Sequence, residues 1–244
     1  MKEKKTVTRS TPRGLTPTPL IEVRAAPTDS VAASCSLVTR SRRSYRQLDS
    51  QMTIELTEEP ITTLPEYARI PIAFTVDRVL DVTARVDDPG GFVFSERRLD
   101  VPYEKDYDAL DGEGPLQWPR RFDLSNWALF TARVATSRVG GATVAFDTPG
   151  LTMLEGRRDL AVLWDIRVSP DARRQGIGSA LFERLEAWAQ LHGCRQLKVE
   201  TQNINVRACR FYERQGCQLR AIHRAAYPGL PHEMQLLWCK DLPR

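Results

Sequence analysis

Glycines and arginines are concentrated in one short segment, Arg173-Arg174-Gln175-Gly176-Ile177-Gly178. This segment stands between a β-branched run that predicts a strand and an amphipathic pattern that predicts a helix. Glycine lets the backbone pass close to a ligand and point successive N–H groups outward, and a helix N-terminus adds the positive end of its dipole. The spacing therefore predicts a loop that binds a pyrophosphate group.

Two common nucleotide-binding loops do not match this segment. A P-loop needs a lysine after its second glycine, and the segment has none. A Rossmann turn needs a third small residue at the start of the helix, where Leu181 stands. The motif alone leaves an ordinary flexible connection open as the alternative.

The elements that must position this loop predict an α/β layer structure built on a mixed sheet. The glycines of segment 137–141 predict a hairpin turn between two strands, and residues 87–125, with several Pro and Gly, predict an irregular stretch. Helical periodicity predicts helices at 177–191 and 205–215. Alternation and β-branched residues predict strands at 53–57, within 72–82, and at 127–134, 142–146, 160–168, 197–201, 217–223 and 233–239.

Two motifs in register resemble those of the GNAT superfamily of N-acetyltransferases. Arg173-x-x-Gly176-x-Gly178 is similar to its Q/R-x-x-G-x-G/A motif, and Asn205-x-x-Ala208-x-x-x-Tyr212 to its second signature. Within the family, residues 164–168 and 197–212 resemble the streptothricin acetyltransferases, which share Glu-Thr-Gln at 200–202. The resemblance covers residues 127–240 and implies the GNAT fold, a mixed and mostly antiparallel central sheet with flanking helices. Residues 52–126 match no motif.

The resemblance implies acetyl-CoA as the co-substrate and no metal. The loop amides would bind the pyrophosphate, and the pantetheine arm would pair like an extra strand beside residues 166–168. An amide N–H near Val168 would stabilise the developing oxyanion. Asn205 would bind the cofactor, although a helix cap is an equally good role for it. The cofactor-binding residues implied are Ile166, Arg167, Val168, Arg173, Arg174, Gln175, Gly176, Ile177, Gly178, Ser179 and Asn205.

The same resemblance makes Tyr212 the general acid that protonates the departing thiolate, with a buried aromatic as the structural alternative. An alkyl amine has a pKa near 10.4, so only about one molecule in 10³ is neutral at pH 7 and a base or water chain must deprotonate it. Asp165 and Glu200 are the candidates for that base. Alternation along a strand places Asp165 opposite Trp164, and either acid could instead hold a cationic substrate or face solvent.

Cysteine chemistry is not expected to take part. Cys209 and Cys217 occupy apolar-periodic positions without a neighbouring histidine, which favours direct transfer over a covalent acetyl-enzyme. The five cysteines are odd in number and lack C-x-x-C spacing, and the three histidines form no ligand pattern with them. We therefore expect neither a disulfide scaffold nor a zinc site, and the expected compartment is the reducing cytoplasm.

The sequence favours a primary amine on a small cationic molecule of the streptothricin type as the acceptor. One alternative is a protein N-terminus or lysine, since the acidic stretch 100–111 could attract a basic peptide as well as a small cation. A second alternative is a non-catalytic acyl-CoA-binding sensor. The oligomeric state is undecided, and a homodimer is left open.

Charge is distributed unevenly along the chain. The net charge of the 244 residues is +4, yet residues 1–50 alone carry +6, which leaves −2 for the rest. We expect a disordered basic tail at 1–51, followed by the acetyltransferase domain at 52–244; a basic arm and a physiological start at Met52 are the alternatives. Because the rest of the chain is nearly neutral, we do not expect a nucleic-acid partner. No apolar run reaches the length of a membrane span, so we do not expect a membrane partner either.

Overall fold

The computed structural model describes residues 53–85, 91–110 and 112–243. The predicted tail at 1–51, Met52 and Asp111 lie outside these ranges, so the expectation for the tail stays a prediction. In the described part of the chain the longest helix has 15 residues, and none is both long and apolar enough to cross a bilayer.

A seven-stranded sheet forms the centre of the structure, in the order β1-β4-β5-β6-β7-β9-β8. Neighbouring strands are antiparallel except β6 and β7, which are parallel, so the predicted mixed and mostly antiparallel sheet is confirmed. The strands of this sheet are β1 (Ile54–Glu59), β4 (Ala128–Val134), β5 (Ser137–Phe146), β6 (Leu160–Val168), β7 (Gln196–Gln202), β8 (Gln218–His223) and β9 (Gln235–Asp241). A separate hairpin joins β2 (Phe74–Ala84) and β3 (Phe92–Lys105).

Helices cover both faces of this sheet. The two long helices, α3 (Ile177–Leu191) and α4 (Val206–Arg214), cover one face. In the core beneath them, Leu181 and Phe182 of α3 pack with Leu163 and Phe130 of the sheet. On the opposite face, the short helices α1 (Leu64–Tyr67) and α2 (Trp118–Arg121) pack their aromatic rings on Leu129, Leu160 and Val162. Alternate residues of the central strands therefore enter two different cores, which explains their nearly continuous apolar sequence.

The two central parallel strands separate halfway along their length. β6 and β7 pair from Leu160 with Gln196 as far as Leu163 with Val199. Within the described residues, the second half of β6 is therefore paired only with β5, and the second half of β7 only with β9. This opens a gap in the middle of the sheet, where the sequence analysis expected the strands to splay.

The glycines near the start of β5 do not form the hairpin turn, which corrects the expectation for segment 137–141. The turn lies at residues 135–136, where Ala135 has φ 51°, and Gly140 and Gly141 are inside β5. A Cβ on Gly141 would lie 2.8 Å from the Tyr67 ring, and one on Gly140 would lie 3.0 Å from the Ile177 side chain. These glycines are therefore needed because helices approach the strand closely from both faces.

The expectation of an irregular stretch at 87–125 is wrong for residues 92–105, which form the 14-residue strand β3. Most of its side chains are exposed, and its centre carries Glu96, Arg97 and Arg98, so the strand lacks the apolar alternation that sequence analysis requires. Its pairing with β2 is what fixes it as a strand.

The hairpin is attached to the region where the main sheet opens. Val76 and Val79 bury Ile204, and the N–H of Leu80 donates to the carbonyl of Asn203 at 2.9 Å. At its end, Lys105 forms a buried ion pair of 2.6 Å with Glu233, in the segment before β9. The hairpin thus forms a wall beside the gap between β6 and β7.

Candidate active site

A cavity of about 1190 Å³ occupies the gap between β6 and β7. Its walls come from the second halves of both strands, the loop before α3, the start of α4, the segment after β3 and the segment before β9. Of the fourteen residues predicted for the site, all except Gln175 line this cavity. The Gln175 side chain instead donates to the carbonyl of Asp171 at 3.2 Å, outside the cavity.

The loop before α3 presents a row of free backbone N–H groups. Arg174 and Gly176 have φ of 63° and 83°, and α3 begins at Ile177. The N–H groups from Arg174 to Ser179 have no hydrogen-bond acceptor among the residues that the structure describes. Left-handed residues that alternate with other conformations just before a helix turn such groups toward one point, which is the arrangement that binds phosphate oxygens. The loop therefore fits a pyrophosphate.

Arg173 holds this loop against its neighbours. Its guanidinium donates to the carbonyl of Val168 at 3.1 Å and to the carbonyl of Ala73 at 3.1 Å. Burial lowers the pKa of Arg173, and the charge of Arg207 lowers it further. The side chain therefore acts first as a clamp between the loop, the end of β6 and the start of the hairpin, and it adds positive charge at the edge of the cavity.

The end of β6 offers two backbone amides to the gap. Ser169 donates to Val139 at 2.8 Å, and Gly140 faces Val168 while Ala142 faces Ile166. Because the pairing of antiparallel strands alternates, the amides of Val168 and Ile166 point away from β5 and into the gap. These two positions fit the predicted pairing with the amides of a pantetheine arm.

Arg167 does not fit the cofactor role that the sequence predicted for it. Its amide points toward β5, and its guanidinium is enclosed by Asp165, Asp108 and the carbonyl of Ile70. The bonds to Asp165 measure 2.9 and 2.8 Å, and those to Asp108 measure 2.5 and 2.8 Å. All five N–H donors are used, so this side chain fixes carboxylates and has no donor left for a cofactor.

A β-bulge changes the direction of Asp165. The register between β5 and β6 shifts at Trp164, so Leu163 faces Val144 while Asp165 faces Thr143. Trp164 packs into the core beneath α1 and α2, and Asp165 accepts a hydrogen bond of 2.5 Å from Tyr67 in that core. The expectation that Asp165 lies opposite Trp164 is therefore wrong, because a bulge inserts one residue into the alternation.

Asp165 is fully engaged by its neighbours. Its carboxylate accepts from Arg167 through both oxygens and from the Tyr67 hydroxyl, and its side chain is 8% exposed. Burial and the charge of Asp165 raise the pKa of Tyr67 well above its usual value, so the tyrosine stays protonated and donates. A buried carboxylate with both oxygens bonded to a guanidinium is poorly placed to reach the ammonium group of a substrate.

Glu200 is surrounded by neutral donors only. Its carboxylate accepts from the Tyr227 hydroxyl, from Gln202 at 3.2 Å and from Gln235 at 2.7 Å. Burial raises the pKa of Tyr227, and the charge of Glu200 raises it further, so this hydroxyl remains a donor. No cation of the described chain pairs with Glu200, and its half-buried carboxylate faces the cavity. Glu200 is thus the freer of the two predicted acids.

The Tyr212 hydroxyl lies in the cavity without a hydrogen-bond partner in the described part of the chain. The residue is 5% exposed, and its ring packs on Phe182 and Phe211. Burial raises the pKa of Tyr212 well above its usual value, and the charge of Asp165 adds to the effect. The hydroxyl is therefore protonated near neutral pH and free to donate to a bound group.

Asn205 caps helix α4, which is the structural role considered for it in the sequence analysis, and it also lines the cavity. Its side-chain oxygen accepts from the N–H of Ala208 at 3.1 Å and caps α4.

The described cysteines do not provide a nucleophile. Cys194, Cys209, Cys217 and Cys239 are free and buried. Burial raises the pKa of Cys194 to about 11 and those of Cys209 and Cys217 to about 12, so their thiols carry almost no thiolate at neutral pH. The described residues also contain no group of three or more His, Cys, Asp or Glu side chains that could hold a metal ion.

Several cavity residues were not singled out by sequence analysis. Tyr107 lines the cavity from a segment without a recognisable motif and donates to Gln202 at 2.5 Å. Tyr67, in another such segment, is fully buried behind the cavity wall and donates to Asp165. Asp108 was noticed only as one acid of the acidic stretch 100–111, and Tyr227 lies between the last two predicted strands. The sequence signal that could have found Asp108 is the position of the acidic stretch next to the predicted strands. Its contact with Arg167 could not be predicted, because the two residues are 59 positions apart.

The central sheet opens between β6 and β7, and the N-terminus of α3 lies beside this gap. These two features define an α/β fold whose central gap can hold an extended cofactor that carries phosphates. Comparison with known proteins gives the family. Residues 95–217 match the Acetyltransferase (GNAT) family, and the chain belongs to this family. It is an N-acetyltransferase that uses acetyl-CoA, as the resemblance of its two motifs implied.

Individual relatives agree with this assignment. Streptothricin acetyltransferase A of Bacillus subtilis (strain 168) is 26% identical over 151 residues, which cover 61% of this chain and 79% of that protein. The crystal structure of nourseothricin acetyltransferase has a TM-score of 0.60 at 24% identity and covers 78% of this chain and 99% of its own. A Bacillus anthracis (strain Ames) protein solved in complex with acetyl coenzyme A has a TM-score of 0.60 at 21% identity, over 80% and 100% of the two chains. The two structures show that the fold is shared.

Proposed function

We propose that this enzyme acetylates a primary amine of a small cationic acceptor of the streptothricin type. The observation that carries the proposal is the separation of charge in the cavity. Arginines gather at one end, beside the loop before α3, and carboxylates gather at the other, on the side of α1 and the segments from the hairpin and β9.

The basic end suits the donor. Arg173, Arg174, Arg207 and Arg214 line the cavity around the N-terminus of α3 and along α4. Together with the free N–H groups of the loop, they would bind the phosphates of acetyl-CoA. Ile166 and Val168 would pair with the pantetheine amides, and the Val168 N–H would hydrogen-bond the thioester carbonyl oxygen.

The acidic end suits a cationic acceptor. Five carboxylates line it, and three cations are paired with them, which leaves an excess of two negative charges. Such an excess attracts a cation and repels an acidic molecule. The carboxylates are those of Asp108, Glu113, Asp165, Glu200 and Glu233, and the paired cations are Lys105, Arg121 and Arg167.

Each proton transfer in the reaction can then be assigned to a residue of this chain. Acetyl-CoA, when bound, supplies the acetyl group as a thioester. Glu200 takes a proton from the ammonium group of the acceptor, because its carboxylate faces the cavity and is held by neutral donors. As the N–C bond forms and the C–S bond breaks, Tyr212 donates its hydroxyl proton to the sulfur. The nitrogen gives up its second proton as it becomes an amide, which restores the Tyr212 hydroxyl, and Glu200 releases its proton to solvent. Asp165, enclosed by Arg167 and Tyr67, supports the wall and moves no proton.

The relatives support the choice of acceptor. A streptothricin acetyltransferase of Bacillus subtilis matches along 61% of this chain. In the sequence itself, residues 197–212, which include Glu200 and Tyr212, resemble the streptothricin acetyltransferases. Acetylation would remove the charge of the amine, and a streptothricin modified in this way would lose a cationic group that its activity needs.

The test is the release of free CoA thiol from acetyl-CoA by the purified enzyme. Streptothricin, linear polyamines and basic peptides serve as acceptors in parallel reactions. We expect rapid release with streptothricin and slower release with the others. Release with peptides alone would contradict the proposed acceptor, and silence with every acceptor would contradict the proposal as a whole.

A further inference from the structure

We propose that Asp108 binds a second cationic group of the acceptor, so that the enzyme selects acceptors with two ammonium groups over monoamines. This inference rests on the proposed function and deepens it. Asp108 follows the hairpin, in the part of the chain where sequence analysis finds no family motif. It is argued from the charges that remain uncompensated in the cavity.

The first uncompensated charge belongs to the pair of carboxylates around Arg167. One guanidinium serves both Asp165 and Asp108, so this group carries a net charge of −1. Arg167 is 1% exposed and Asp165 is 8% exposed, whereas Asp108 is 28% exposed. The remaining negative charge is therefore available to a ligand at Asp108.

Asp165 is further removed from ligand binding by Tyr67. The Tyr67 hydroxyl donates to the same carboxylate oxygen that receives Nε of Arg167. Among the residues that the structure describes, only Arg167 donates to the Asp108 side chain, with two bonds of 2.5 and 2.8 Å. Each carboxylate oxygen can accept more than one hydrogen bond, so Asp108 can bind an ammonium group and keep Arg167.

The second uncompensated charge is Glu200, on the other side of the gap. Its partners Tyr227, Gln202 and Gln235 are neutral, so the full charge of the carboxylate remains. Lys198, two residues before it on the same face of β7, donates to the carbonyl of Met153, and Met153 packs against the same core as Trp164. Glu200 and the Asp165–Arg167–Asp108 group therefore face the same side of the sheet, across the opening between β6 and β7.

The remaining acids of the cavity are neutralised. Glu233 pairs with Lys105 at 2.6 Å, and both side chains are about one-tenth exposed. Glu113 pairs with Arg121 at 2.8 Å. Two separate anionic positions are left, and a monoamine can satisfy only one of them. An acceptor with two ammonium groups satisfies both, with the reacting amine at Glu200 and the second at Asp108.

The test compares wild type with Asp108→Asn on straight-chain alkyl diamines and on the alkyl monoamines of the same lengths. Asp100→Asn is the matched control, because it removes one carboxylate from the exposed part of β3. We expect wild type and the control to prefer diamines, and Asp108→Asn to lose at least about tenfold in kcat/KM for diamines, the scale of one lost charged contact. Its kcat/KM for monoamines should fall by a clearly smaller factor, so that the preference for diamines over monoamines is lost.

Folding is controlled with Asp108→Glu, which keeps the charge and should keep the preference for diamines. An equal loss for diamines and monoamines in Asp108→Asn, or no loss at all, would overturn the inference. Calorimetric binding of a diamine to the same proteins separates the inference from the proposed function. If no amine is acetylated, the proposed function fails, and the inference still requires wild type to bind the diamine at least about tenfold more tightly than Asp108→Asn.

Discussion

Tyr212 combines the two properties that a proton donor needs at the scale of a single residue. Its hydroxyl faces the cavity without a partner in the described chain, and burial together with the charge of Asp165 raises its pKa. Because the raised pKa keeps the hydroxyl protonated, we expect no loss of activity from ionisation of Tyr212 as the pH rises through neutrality. Tyr212→Phe should lower kcat by about 10²-fold or more, the usual contribution of general acid catalysis.

The affinity for acetyl-CoA should remain within about twofold in Tyr212→Phe, since the ring and its packing on Phe182 and Phe211 are retained. Steady-state kinetics and calorimetry measure the two quantities separately. Tyr103→Phe, which removes a hydroxyl from an exposed ring on β3, is the control and should leave kcat unchanged. An unaltered kcat in Tyr212→Phe would mean that water protonates the thiolate.

Glu200 can be tested as a base through the pH dependence of its neutral variant. Glu200→Gln keeps the shape of the side chain and removes the proton acceptor, so we expect kcat at pH 7 to fall by about 10²-fold. The deficit should shrink toward pH 10, because the amine then loses its proton without help. A rise in KM with kcat unchanged would show that Glu200 only anchors the cation. Glu55→Gln, at an exposed position of β1 outside the cavity, is the control.

The loop before α3 depends at the scale of the element on its left-handed glycine. Gly176 has φ 83°, and a Cβ there would meet no atom within 4 Å. Gly176→Ala therefore adds strain of about 1–2 kcal/mol without a clash, and the loop should relax in a way that turns its N–H groups from their common point. We expect the dissociation constant for acetyl-CoA to rise at least about fivefold.

Gly150 provides the matched control for this variant. It has φ 81° and equally open surroundings, but it lies in the turn after β5. Gly150→Ala should lower the melting temperature as much as Gly176→Ala does and leave acetyl-CoA binding unchanged in calorimetry. Equal affinities in the two variants would show that the loop amides do not bind the cofactor.

Elements with a strong internal period were predictable from the sequence, and elements fixed by distant partners were not. β6 and α3 match their predicted ranges because their apolar spacing is set by one face or one core. β3 was missed because its exposed residues acquire strand geometry only by pairing with β2. At the site, the loop and Tyr212 carry local motifs, whereas the bulge at Trp164 and the contact of Arg167 with Asp108 arise from tertiary packing.

The edge strand β1 is fixed to the sheet by an ion pair whose contribution depends on pH. Glu59 accepts from Arg138 at 2.6 Å and from Thr63 at 3.2 Å. Burial alone would raise the pKa of Glu59, but the hydrogen bond and charge of Arg138 outweigh it and lower the pKa. A pKa that is lower in the folded than in the unfolded chain stabilises the fold above the unfolded pKa, and this stabilisation is lost as the pH falls through the folded value.

Glu59→Gln should therefore reduce the free energy of unfolding at pH 7 by roughly 1–3 kcal/mol, the contribution of hydrogen bonds to a charged group. The difference from wild type should shrink once the pH falls below about 4, the usual range of a glutamate. Urea denaturation at several pH values measures it. Glu55→Gln, an exposed position on the same strand, is the control, and a difference that persists unchanged at low pH would contradict the role of the ion pair.

At the scale of the whole molecule, the acceptor side is assembled from segments far apart in sequence. α1 contributes Tyr67, the segment after the hairpin contributes Tyr107 and Asp108, and the segment before β9 contributes Tyr227. The central sheet contributes the acids that these segments orient. The core of the donor side, by contrast, comes from one continuous strand–loop–helix unit, from β6 to α3, to which α4 adds arginines. The motif of that continuous unit is therefore visible in the sequence.

All the elements that build this site lie between Ile54 and Asp241, whereas the basic excess of the chain lies before them. We therefore expect a chain shortened to begin at Met52 to fold and to transfer acetyl groups like the full chain. Its melting temperature should lie within about 2 °C of the full chain, which for a domain of this size corresponds to a change below about 1 kcal/mol. Differential scanning calorimetry and the thiol-release assay measure the two properties.

Removal of residues 1–51 should also change the response to polyanions, since the net charge passes from +4 to −2. Any binding of the full chain to heparin or DNA should weaken steeply with salt and disappear in the shortened chain, because counterion release scales with the number of basic contacts. The shortened chain would then keep its kcat/KM for amine acceptors in the presence of polyanion, while the full chain would be inhibited at low salt. A shortened chain that melts at a much lower temperature, or that loses transfer without polyanion, would show that the first 51 residues belong to the catalytic domain.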